Sequence, residues 1–323
     1  MDEIKAKSDR QNVASKVGVP AQDTQIKPAG LFYLTIVYII WGSTYLAIRV
    51  AVRGGSGFPP FTMGMMRLML AGVLLLFWAI LRRQPIRPSR EEIFILASSG
   101  LLLWTGGNGL IMWAEQRAES GLAALIVASV PIWTALIETL LDRHVPSPRL
   151  VLALLVGFAG IGVLSAPTLH SGTRADALAV VALMGASASW AIGSVLQSRR
   201  PVKLSPPVSA SYQSLVGGMG LALLMIVFRE PRPTPVLEAW VAWGYLVVFG
   251  SLLAFTSYVQ TLRLLPINVA MTYAYVNPVI AVILGAVILG EPITAWTISG
   301  AVMVILGVAG VFRDRYLQNK HGS

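Results

Sequence analysis

Cysteine is absent from this chain of 323 residues, and only 12% of its residues are charged. Without cysteine there is no disulfide framework, no iron–sulfur or cysteine–zinc site and no thiol nucleophile. A soluble globular protein usually carries about 25% charged residues, whereas 55% of the residues here are hydrophobic. A water-facing globule of this size cannot be covered by so few charges. The composition therefore indicates an integral membrane protein.

Catalytic and metal-binding motifs are missing as well. The sequence has no HExxH, Gly-x-Ser-x-Gly or P-loop lysine motif, and its three histidines lie outside the long apolar stretches. We therefore expect no enzyme activity, no cofactor and no metal. The net charge of +10 can accompany nucleic-acid binding. Here the basic residues sit in short segments between apolar runs and cannot form a groove-sized patch, so no nucleic-acid partner is expected.

Ten apolar stretches approach the roughly 20 residues that a bilayer-spanning helix needs. Their pattern is continuous rather than alternating, which excludes the strands of a membrane barrel. The sequence predicts an all-α integral membrane protein with ten transmembrane helices, at residues 30–50, 60–81, 93–113, 119–141, 149–166, 176–197, 206–228, 237–259, 268–289 and 294–312. Residues 1–29 and 313–323 are predicted to be polar tails without a signal peptide.

The basic residues are distributed unequally between the two predicted sides of the membrane. The side that carries both termini holds 18 Lys and Arg residues and the other side holds five, with Arg49 and Arg67 inside spans. Short cytoplasmic loops are enriched in Lys and Arg. We therefore expect both termini in the cytoplasm and a multi-pass location in the plasma or inner membrane.

The chain is duplicated, and the halves are residues 30–166 and 176–312. Span one contains Trp41 followed by Gly-Ser, and span six contains Trp190 followed closely by Gly-Ser. Five helices per half is an odd number, so the second repeat must lie inverted relative to the first. Inverted repeats are typical of secondary transporters, which hold their substrate near the midplane between the halves.

The order of these motifs resembles the ten-helix EamA-type branch of the drug/metabolite transporter superfamily, and most closely its aromatic amino-acid exporters (YddG-like). The matching residues are the Trp-Gly-Ser of span one, Pro59-Pro60-Phe61 with Arg67 in span two, Pro131, Pro278 and the turn at 289–294. The resemblance implies an exporter of small metabolites, with spans five and ten at the periphery of a central cavity. The first repeat departs from the pattern at residues 141–146, where the Leu-Gly-Glu turn is missing.

Secondary transport is favoured over a channel, which would show pore-lining charges or carbonyl filters, and over a receptor, which needs no inverted duplication. We expect alternating access for a neutral or zwitterionic, partly apolar molecule, because no pair of basic residues is central. The resemblance narrows the substrate to amino acids, including aromatic ones. Broad export of drug-like or toxic organic compounds is the alternative. Small-residue helix faces are interpreted as packing within a monomer.

Aromatic, amide and hydroxyl side chains share faces of several spans and are the candidates for the cavity wall. They are Trp41, Tyr45, Met66, Arg67, Trp104, Asn108, Trp190, Tyr212, Gln213, Thr272, Tyr275 and Asn277. Rings with a few convergent polar groups form a site for a partly apolar molecule. Lipid offers Asn108 and Asn277 no partner, so both should face inward. Tight packing is the alternative for each ring and for Met66, whereas Tyr212 and Gln213 are expected to border a cytoplasmic vestibule.

Arg67 is the deepest charge, and a charge inside a bilayer is costly. It either binds a substrate carboxylate or pairs with a buried acceptor. Gly106 and Gly107 are expected to loosen span three, and Pro131 and Pro278 to interrupt spans four and nine beside the cavity, although simple kinks explain the prolines too. No acid or histidine occupies a clear midplane position, which leaves both facilitated diffusion and antiport open.

Overall fold

The computed structural model describes residues 26–52, 57–114, 120–143, 145–170, 177–289 and 293–322. This part of the chain is helical and contains no strand. In chain order the helices are α1 (Pro28–Ala51), α2 (Pro60–Leu81), α3 (Arg90–Ala114), α4 (Ser120–Val127, continued by Val130–Asp142), α5 (Pro148–His170), α6 (Ala177–Arg199), α7 (Pro206–Val227), α8 (Leu237–Leu264), α9 (Ile267–Ala270, continued by Tyr273–Leu289) and α10 (Ala295–Gly322). The predicted N-terminal tail as far as residue 25, and residues 290–292 of the turn before α10, lie outside the described residues.

Local sequence signals set the helix starts. The helices α1, α2, α5 and α7 each begin at a proline, whose missing N–H would have no partner in a first turn and whose φ is already helical. The helix α3 begins with a capping box instead. The Glu92 N–H donates to the Ser89 hydroxyl at 3.2 Å, and the Ser89 N–H donates to the Glu92 carboxylate at 2.8 Å. These signals allow short linkers between long helices.

Among the described residues, seven helices are long and apolar enough to cross a membrane. They are α2, α3, α6, α7 and α8, together with Leu125–Asp142 of α4 and Ala295–Asp314 of α10. The apolar stretches of α1 and α5 are shorter, at Pro28–Thr44 and Pro148–Leu164. The all-helical membrane class is thus confirmed, while the count of ten spans stays a prediction. The helix α10 continues to Gly322, through the region predicted to be a polar tail.

The outside of the helix bundle is apolar. On α2, the side chains of Leu70, Val73 and Phe77 are exposed at a spacing of three to four residues, which places them on one face of the helix. A continuous apolar stripe of this kind would be unfavourable in water. It is the surface that a multi-pass membrane protein presents to lipid.

The two halves repeat one packing pattern. The helix α1 packs against α8 and α9, and its counterpart α6 packs against α3 and α4. The counterparts α2 and α7 pack against each other, as do α5 and α10. Replacing every helix by its counterpart therefore reproduces these neighbours. This agreement supports a fold built from two repeats.

The contact between α5 and α10 depends on glycine. A Cβ added at Gly307 would lie 2.6 Å from the backbone of Gly157, and one added at Gly300 would lie 2.6 Å from the backbone nitrogen of Leu164. Small residues let membrane helices approach closely. A larger side chain at either position would force these two helices apart.

Two helices widen into π-helical turns at matching places in the two repeats. The stretch in α3 covers Leu101–Gly109, and that in α8 covers Leu246–Phe255. π-Helical turns are rare and are frequent at functional sites. The predicted weak point at Gly106 and Gly107 falls inside the first stretch. The second stretch, which contains a single glycine, was not predicted.

The proline-bearing helices α4 and α9 are both interrupted. The helix α4 breaks at residues 128–129, and Pro131 lies in the first turn of its second segment. The helix α9 turns at residues 271–272 and then continues through Pro278. Proline at the start of a helical segment costs no hydrogen bond, whereas Pro278 leaves one carbonyl of α9 without its helical partner.

Candidate functional site

A cavity of about 100 Å³ lies among α1, α2, α3, α4, α6 and α9. Its lining consists of Trp41, Thr44, Ile48, Arg67, Trp104, Asn108, Ile111, Met112, Val127, Val130, Ala186, Ser187, Trp190, Tyr273 and Asn277. One of these side chains is basic and none is acidic. Trp41 lies near the middle of α1 and Ile48 near its end, so the cavity extends from the centre of the bundle toward the end where α1 ends.

An aromatic cluster forms one wall of the cavity and the packing behind it. The Trp41 ring lies 5.0 Å from the rings of both Tyr258 and Tyr273 and 5.6 Å from that of Trp190, measured between ring centroids. Tyr258 is fully buried, and its hydroxyl shares a hydrogen bond of 2.5 Å with the Ser194 hydroxyl. Edge-to-face ring contacts stabilise packing beyond the area that they bury. The cluster is therefore a rigid apolar surface.

Arg67 reaches the cavity from α2, and only 5% of the residue is exposed. Its Nε donates to the Ser251 hydroxyl at 2.7 Å, and its guanidinium carbon lies 5.4 Å from the centre of the Trp104 ring. In the described parts of the chain no carboxylate forms an ion pair with it. Its hydrogen-bonded acceptor is thus a neutral hydroxyl from the π-helical stretch of α8.

Most of the polar groups on the wall are engaged by nearby backbone. The Thr44 hydroxyl donates to the Trp41 carbonyl at 2.7 Å, and the Ser187 hydroxyl donates to the Leu183 carbonyl at 3.0 Å. In the orientation that satisfies its surroundings, the Asn277 amide nitrogen donates to backbone carbonyls of α1 and α9 at 3.2 and 3.1 Å. Thr44, Ser187 and Asn277 are therefore hydrogen-bonded within the protein.

The three cavity tryptophans differ in how their indole N–H groups are used. The Trp41 Nε1 donates to the Gly250 carbonyl in α8 at 3.2 Å. The Nε1 atoms of Trp104 and Trp190 are buried and make no hydrogen bond of good geometry with any described residue. Leaving a buried donor unpaired costs about 1–3 kcal/mol. The Trp104 N–H can donate to a ligand in the cavity, whereas the Trp190 indole lies within reach of the Tyr258 hydroxyl.

A buried polar network closes the bundle on the side where α3 begins and α6 ends. The Gln213 amide nitrogen, on α7, donates to the Ser99 hydroxyl of α3 at 2.8 Å and to the Gln197 side-chain oxygen of α6. Gln213 is fully buried. The network joins three helices between the cavity and this end of the bundle, which we call the closed end.

Ion pairs strengthen the closed end. The Arg199 Nη1 on α6 donates to the Asp142 carboxylate of α4 at 2.7 Å, and its Nη2 donates to the Glu138 carboxylate at 3.3 Å. The neighbouring pair between Arg200 and Glu91 is longer, at 3.6 Å, and largely exposed. The bidentate Arg199 contacts therefore hold α4 against α6 beside the cavity.

The opposite end of the bundle has one strong contact between the repeats. The Glu230 carboxylate, in the linker after α7, accepts the N–H groups of Phe61 and Thr62 at 2.8 and 2.7 Å. It also accepts the Thr62 hydroxyl at 2.7 Å. A carboxylate on free N–H groups at a helix N-terminus is stabilising. Glu230 thus anchors the start of α2 to the second repeat.

The structure brings half of the candidate residues onto the cavity wall. These six are Trp41, Arg67, Trp104, Asn108, Trp190 and Asn277. They come from α1, α2, α3, α6 and α9, that is, from both repeats. Their role in binding stays a prediction, whereas their common position is a property of the fold. The side chain of Tyr45 lies outside the described residues.

Other candidates lie away from the cavity. The Tyr275 hydroxyl donates to the Leu154 carbonyl of α5 at 3.0 Å, and Thr272 hydrogen-bonds the Tyr38 hydroxyl. The Tyr212 hydroxyl donates to a backbone carbonyl in the linker between α2 and α3 at 2.8 Å. Met66 packs against the hydrophobic core. Gln213 is fully buried and Tyr212 half-buried at the closed end, and a vestibule at these residues stays a prediction.

The glycines of α3 allow a close approach by α6. A Cβ added at Gly107 would lie 2.8 Å from the Trp190 ring, and one at Gly106 would collide with the Ser189 hydroxyl. Close packing thus accounts for both glycines. The predicted flexibility at these positions is a separate property and remains a proposal, as it does for Pro131 and Pro278.

Several residues of the site were not predicted from the sequence. Thr44 and Ile48 follow Trp41 at intervals of three and seven residues, so helical spacing contained a signal for them. Tyr273 and Ser251 gave no such signal, since their roles depend on the turn in α9 and on the π-helical stretch of α8. Among the described residues, no group of three acidic, histidine or cysteine side chains is placed to hold a metal ion.

Comparison with known protein families and proteins gives a consistent result. The model of the EamA-like transporter family matches the chain twice, over residues 28–166 and 177–313. The inner membrane transporter YedA of Escherichia coli, which is uncharacterised, is 36% identical over 88% of this chain and 90% of its own length. An uncharacterised transporter of Synechocystis is 24% identical over 89% of each chain. These relatives are transporters rather than enzymes.

A solved crystal structure has the same fold. It superposes with a TM-score of 0.73, at 20% identity, over 90% of this chain and 99% of its own. At this level of identity the likeness concerns the fold alone. Together with the seven apolar helices, the relatives establish a multi-pass inner-membrane protein.

Proposed function

The chain belongs to the EamA-like transporter family, and we propose that it exports small, partly apolar zwitterions, including aromatic amino acids. The binding site in this proposal is the cavity where the two repeats meet. The supporting observation is its lining, which combines Trp41, Trp104 and Trp190 with one arginine and no acidic side chain. Ligand pockets are mostly apolar and use a few placed polar groups for orientation. The site lies within one chain, so we propose a monomer as the transporting unit.

The size of the cavity adds a condition to this proposal. Its volume of about 100 Å³ is smaller than the roughly 150 Å³ of an engineered protein cavity that holds benzene. An amino acid with an aromatic side chain therefore requires the wall to move outward. We propose that the cavity widens when a substrate enters.

The proposed mechanism is alternating access by ten spanning helices arranged as two inverted repeats with cytoplasmic termini. Two observations support it, namely the matching neighbours of counterpart helices and the matching π-helical stretches of α3 and α8. With cytoplasmic termini the closed end faces the cytoplasm, and the cavity lies toward the outside. Gly106, Gly107, Pro131 and Pro278 are the proposed points of flexibility.

Reconstitution of the purified protein into liposomes tests the function directly. We expect saturable uptake of radiolabelled phenylalanine and tryptophan that is absent from protein-free vesicles. If neither amino acid is taken up, while the same vesicles transport other organic solutes, the amino-acid proposal is wrong. The alternative of broad export of drug-like compounds would then be favoured.

A pair of matched variants tests whether the cavity is the site. W104F keeps an apolar ring but removes an indole N–H that has no partner, and we expect a several-fold rise in KM for tryptophan. W78F makes the same change on α2 at a side chain that is 51% exposed, and transport should not change. Equal effects of the two variants would contradict the proposed site.

A further inference from the structure

Among the described residues, Arg67 is the cationic side chain on the cavity wall, and its described surroundings leave most of its hydrogen-bonding capacity unused. A guanidinium carries five N–H groups. The Nε group is engaged by Ser251 at 2.7 Å, whereas neither Nη atom donates a hydrogen bond to any residue that the structure describes. Four N–H groups are therefore free at the end of the side chain.

The guanidinium is also held in place. Its carbon lies 5.4 Å over the Trp104 ring, where a cation–π contact stabilises it. On its other side, α8 comes so close that a Cβ at Gly250 would lie 2.8 Å from Nη2. The contacts with Ser251, Trp104 and Gly250 hold the plane of the Arg67 guanidinium. They leave its two Nη groups without a hydrogen bond to a described residue. Preorganisation of this kind strengthens binding because little conformational freedom is lost.

The charge of Arg67 has no counter-ion among the described residues, and the cavity lining contains no acid. A buried charge without a partner is strongly destabilising. Arginine stays protonated in proteins, so the charge cannot be relieved by loss of a proton. A side chain held at this cost inside a membrane protein indicates a functional role.

We propose that the Arg67 guanidinium is the docking point for a substrate carboxylate, so that the cavity selects organic carboxylates and zwitterions over amines and carboxamides. Arginine binds carboxylates through two parallel hydrogen bonds, which the two free Nη groups can supply. The apolar part of the substrate then lies against Trp104 and Trp190. A single cation suits one carboxylate rather than a phosphate with two negative charges. This inference rests on the proposed function, because it assigns a role within the same cavity.

Competition with labelled phenylalanine uptake in liposomes tests the selectivity. The competitors are 3-phenylpropionate, phenethylamine and phenylalaninamide, which share the ring but differ in the charged groups. We expect 3-phenylpropionate to compete in the wild-type protein and the other two to be weaker. The R67Q variant should raise the KM for phenylalanine by roughly 10- to 100-fold, the range of a charge-assisted hydrogen bond. R67K should be intermediate, because it keeps the charge but loses the fork.

The matched control is R82Q, which removes an exposed arginine at the end of the same helix and should leave uptake unchanged. The inference is overturned if phenethylamine or phenylalaninamide competes better than 3-phenylpropionate in the wild type. It is also overturned if R67Q ranks the three competitors as the wild type does. In both cases the transport function stands. Uptake by R67Q must be compared at equal amounts of monodisperse protein.

Thermal unfolding in detergent decides the inference independently of transport. We expect 3-phenylpropionate to raise the melting temperature of the wild type and not of R67Q, and phenethylamine to have no effect on either. If R67Q does not fold, the test is the melting temperature of the wild type with 3-phenylpropionate compared with that with phenethylamine. Failure of 3-phenylpropionate to stabilise the wild type overturns the inference. Stabilisation by 3-phenylpropionate in a protein that transports no amino acid supports the docking point and rejects the proposed function.

Discussion

Trp41 and Trp190 occupy corresponding positions in the two repeats and meet edge to face, with ring centroids 5.6 Å apart and ring planes at 77°. Their hydrogen bonding is not symmetric. Trp41 Nε1 donates to the Gly250 carbonyl of α8 at 3.2 Å. The Trp190 ring lies 5.8 Å from that of Tyr258, yet its Nε1 forms no hydrogen bond of good geometry with a described residue. Under the proposed alternating-access mechanism, such a difference distinguishes one conformation from its opposite.

Replacing each of these tryptophans by phenylalanine should therefore have unequal effects on stability. W41F removes a hydrogen bond that is made in this conformation, at a cost of about 0.5–1.5 kcal/mol. W190F removes an N–H that forms no hydrogen bond of good geometry with a described residue, and it should cost less stability than W41F. The measurement is the melting temperature of each purified variant in the same detergent, where W41F should melt a few degrees below W190F. Equal shifts would mean that the Trp41 bond adds nothing to the stability of this state.

The Arg199 contacts at the closed end predict how easily that end opens. R199Q removes the bonds to Asp142 and Glu138, and a partly exposed pair of this kind stabilises by about 0.2–1 kcal/mol. We expect the closed end to open about one and a half to five times more often. Because the chain has no cysteine, a single S214C substitution at a fully buried site reports opening through its rate of labelling by a maleimide.

The control for this measurement is R200Q in the same S214C background. Arg200 and Glu91 are 3.6 Å apart, and their side chains are 61% and 74% exposed, so their loss should leave the labelling rate unchanged. If labelling is faster in R200Q, or is not faster in R199Q, the contacts of Arg199 with Asp142 and Glu138 do not hold this end closed.

The architecture was largely predictable from the sequence, because the long apolar runs and the repeated Trp and Pro positions depend on local pattern alone. The π-helical stretch of α3 had a local signal in the glycines around Gly107. The matching stretch of α8 gave a weaker signal, since Leu246–Phe255 is apolar except for the single pair Gly250-Ser251. This stretch packs against α1 and α2. Contacts with helices that are distant in the sequence leave no local sequence pattern.

The candidate site was predictable only in part, and α9 shows why. On α9 the sequence analysis selected Thr272, Tyr275 and Asn277, whereas the cavity lining contains Asn277 and Tyr273 but neither Thr272 nor Tyr275, which lies two residues from each of them. Two residues along an α-helix correspond to a rotation of about 200°, so an error of two positions exchanges the inner and outer faces. The turn at residues 271–272 sets this phase, and no residue pattern before it predicts the turn. Trp41 and Trp190 lie on the cavity wall in regular parts of α1 and α6, whereas Trp104 reaches it from within the π-helical stretch of α3.

Glu230 predicts a stability effect at the end opposite the closed end. E230Q keeps the shape of the side chain but removes the negative charge that accepts the N–H groups of Phe61 and Thr62. Loss of a charged cap should cost about 1–2 kcal/mol, which thermal unfolding of the purified protein measures. E238Q is the matched control, since Glu238 lies exposed in the first turn of α8. An effect of E238Q as large as that of E230Q would indicate a general charge effect instead.

Among the described residues, the cavity lining contains no acidic and no histidine side chain, and from this we predict that transport is not driven by protons. A proton-coupled transporter needs a group that exchanges a proton when the substrate binds, and arginine does not lose its proton in this range. We expect phenylalanine uptake into liposomes to be equally fast with and without a pH gradient of either direction. Collapse of the gradient with nigericin serves as the control for leak. Acceleration by an inward gradient would contradict the prediction, and Glu138, which is half-buried beside Arg199, would be the first carboxylate to neutralise.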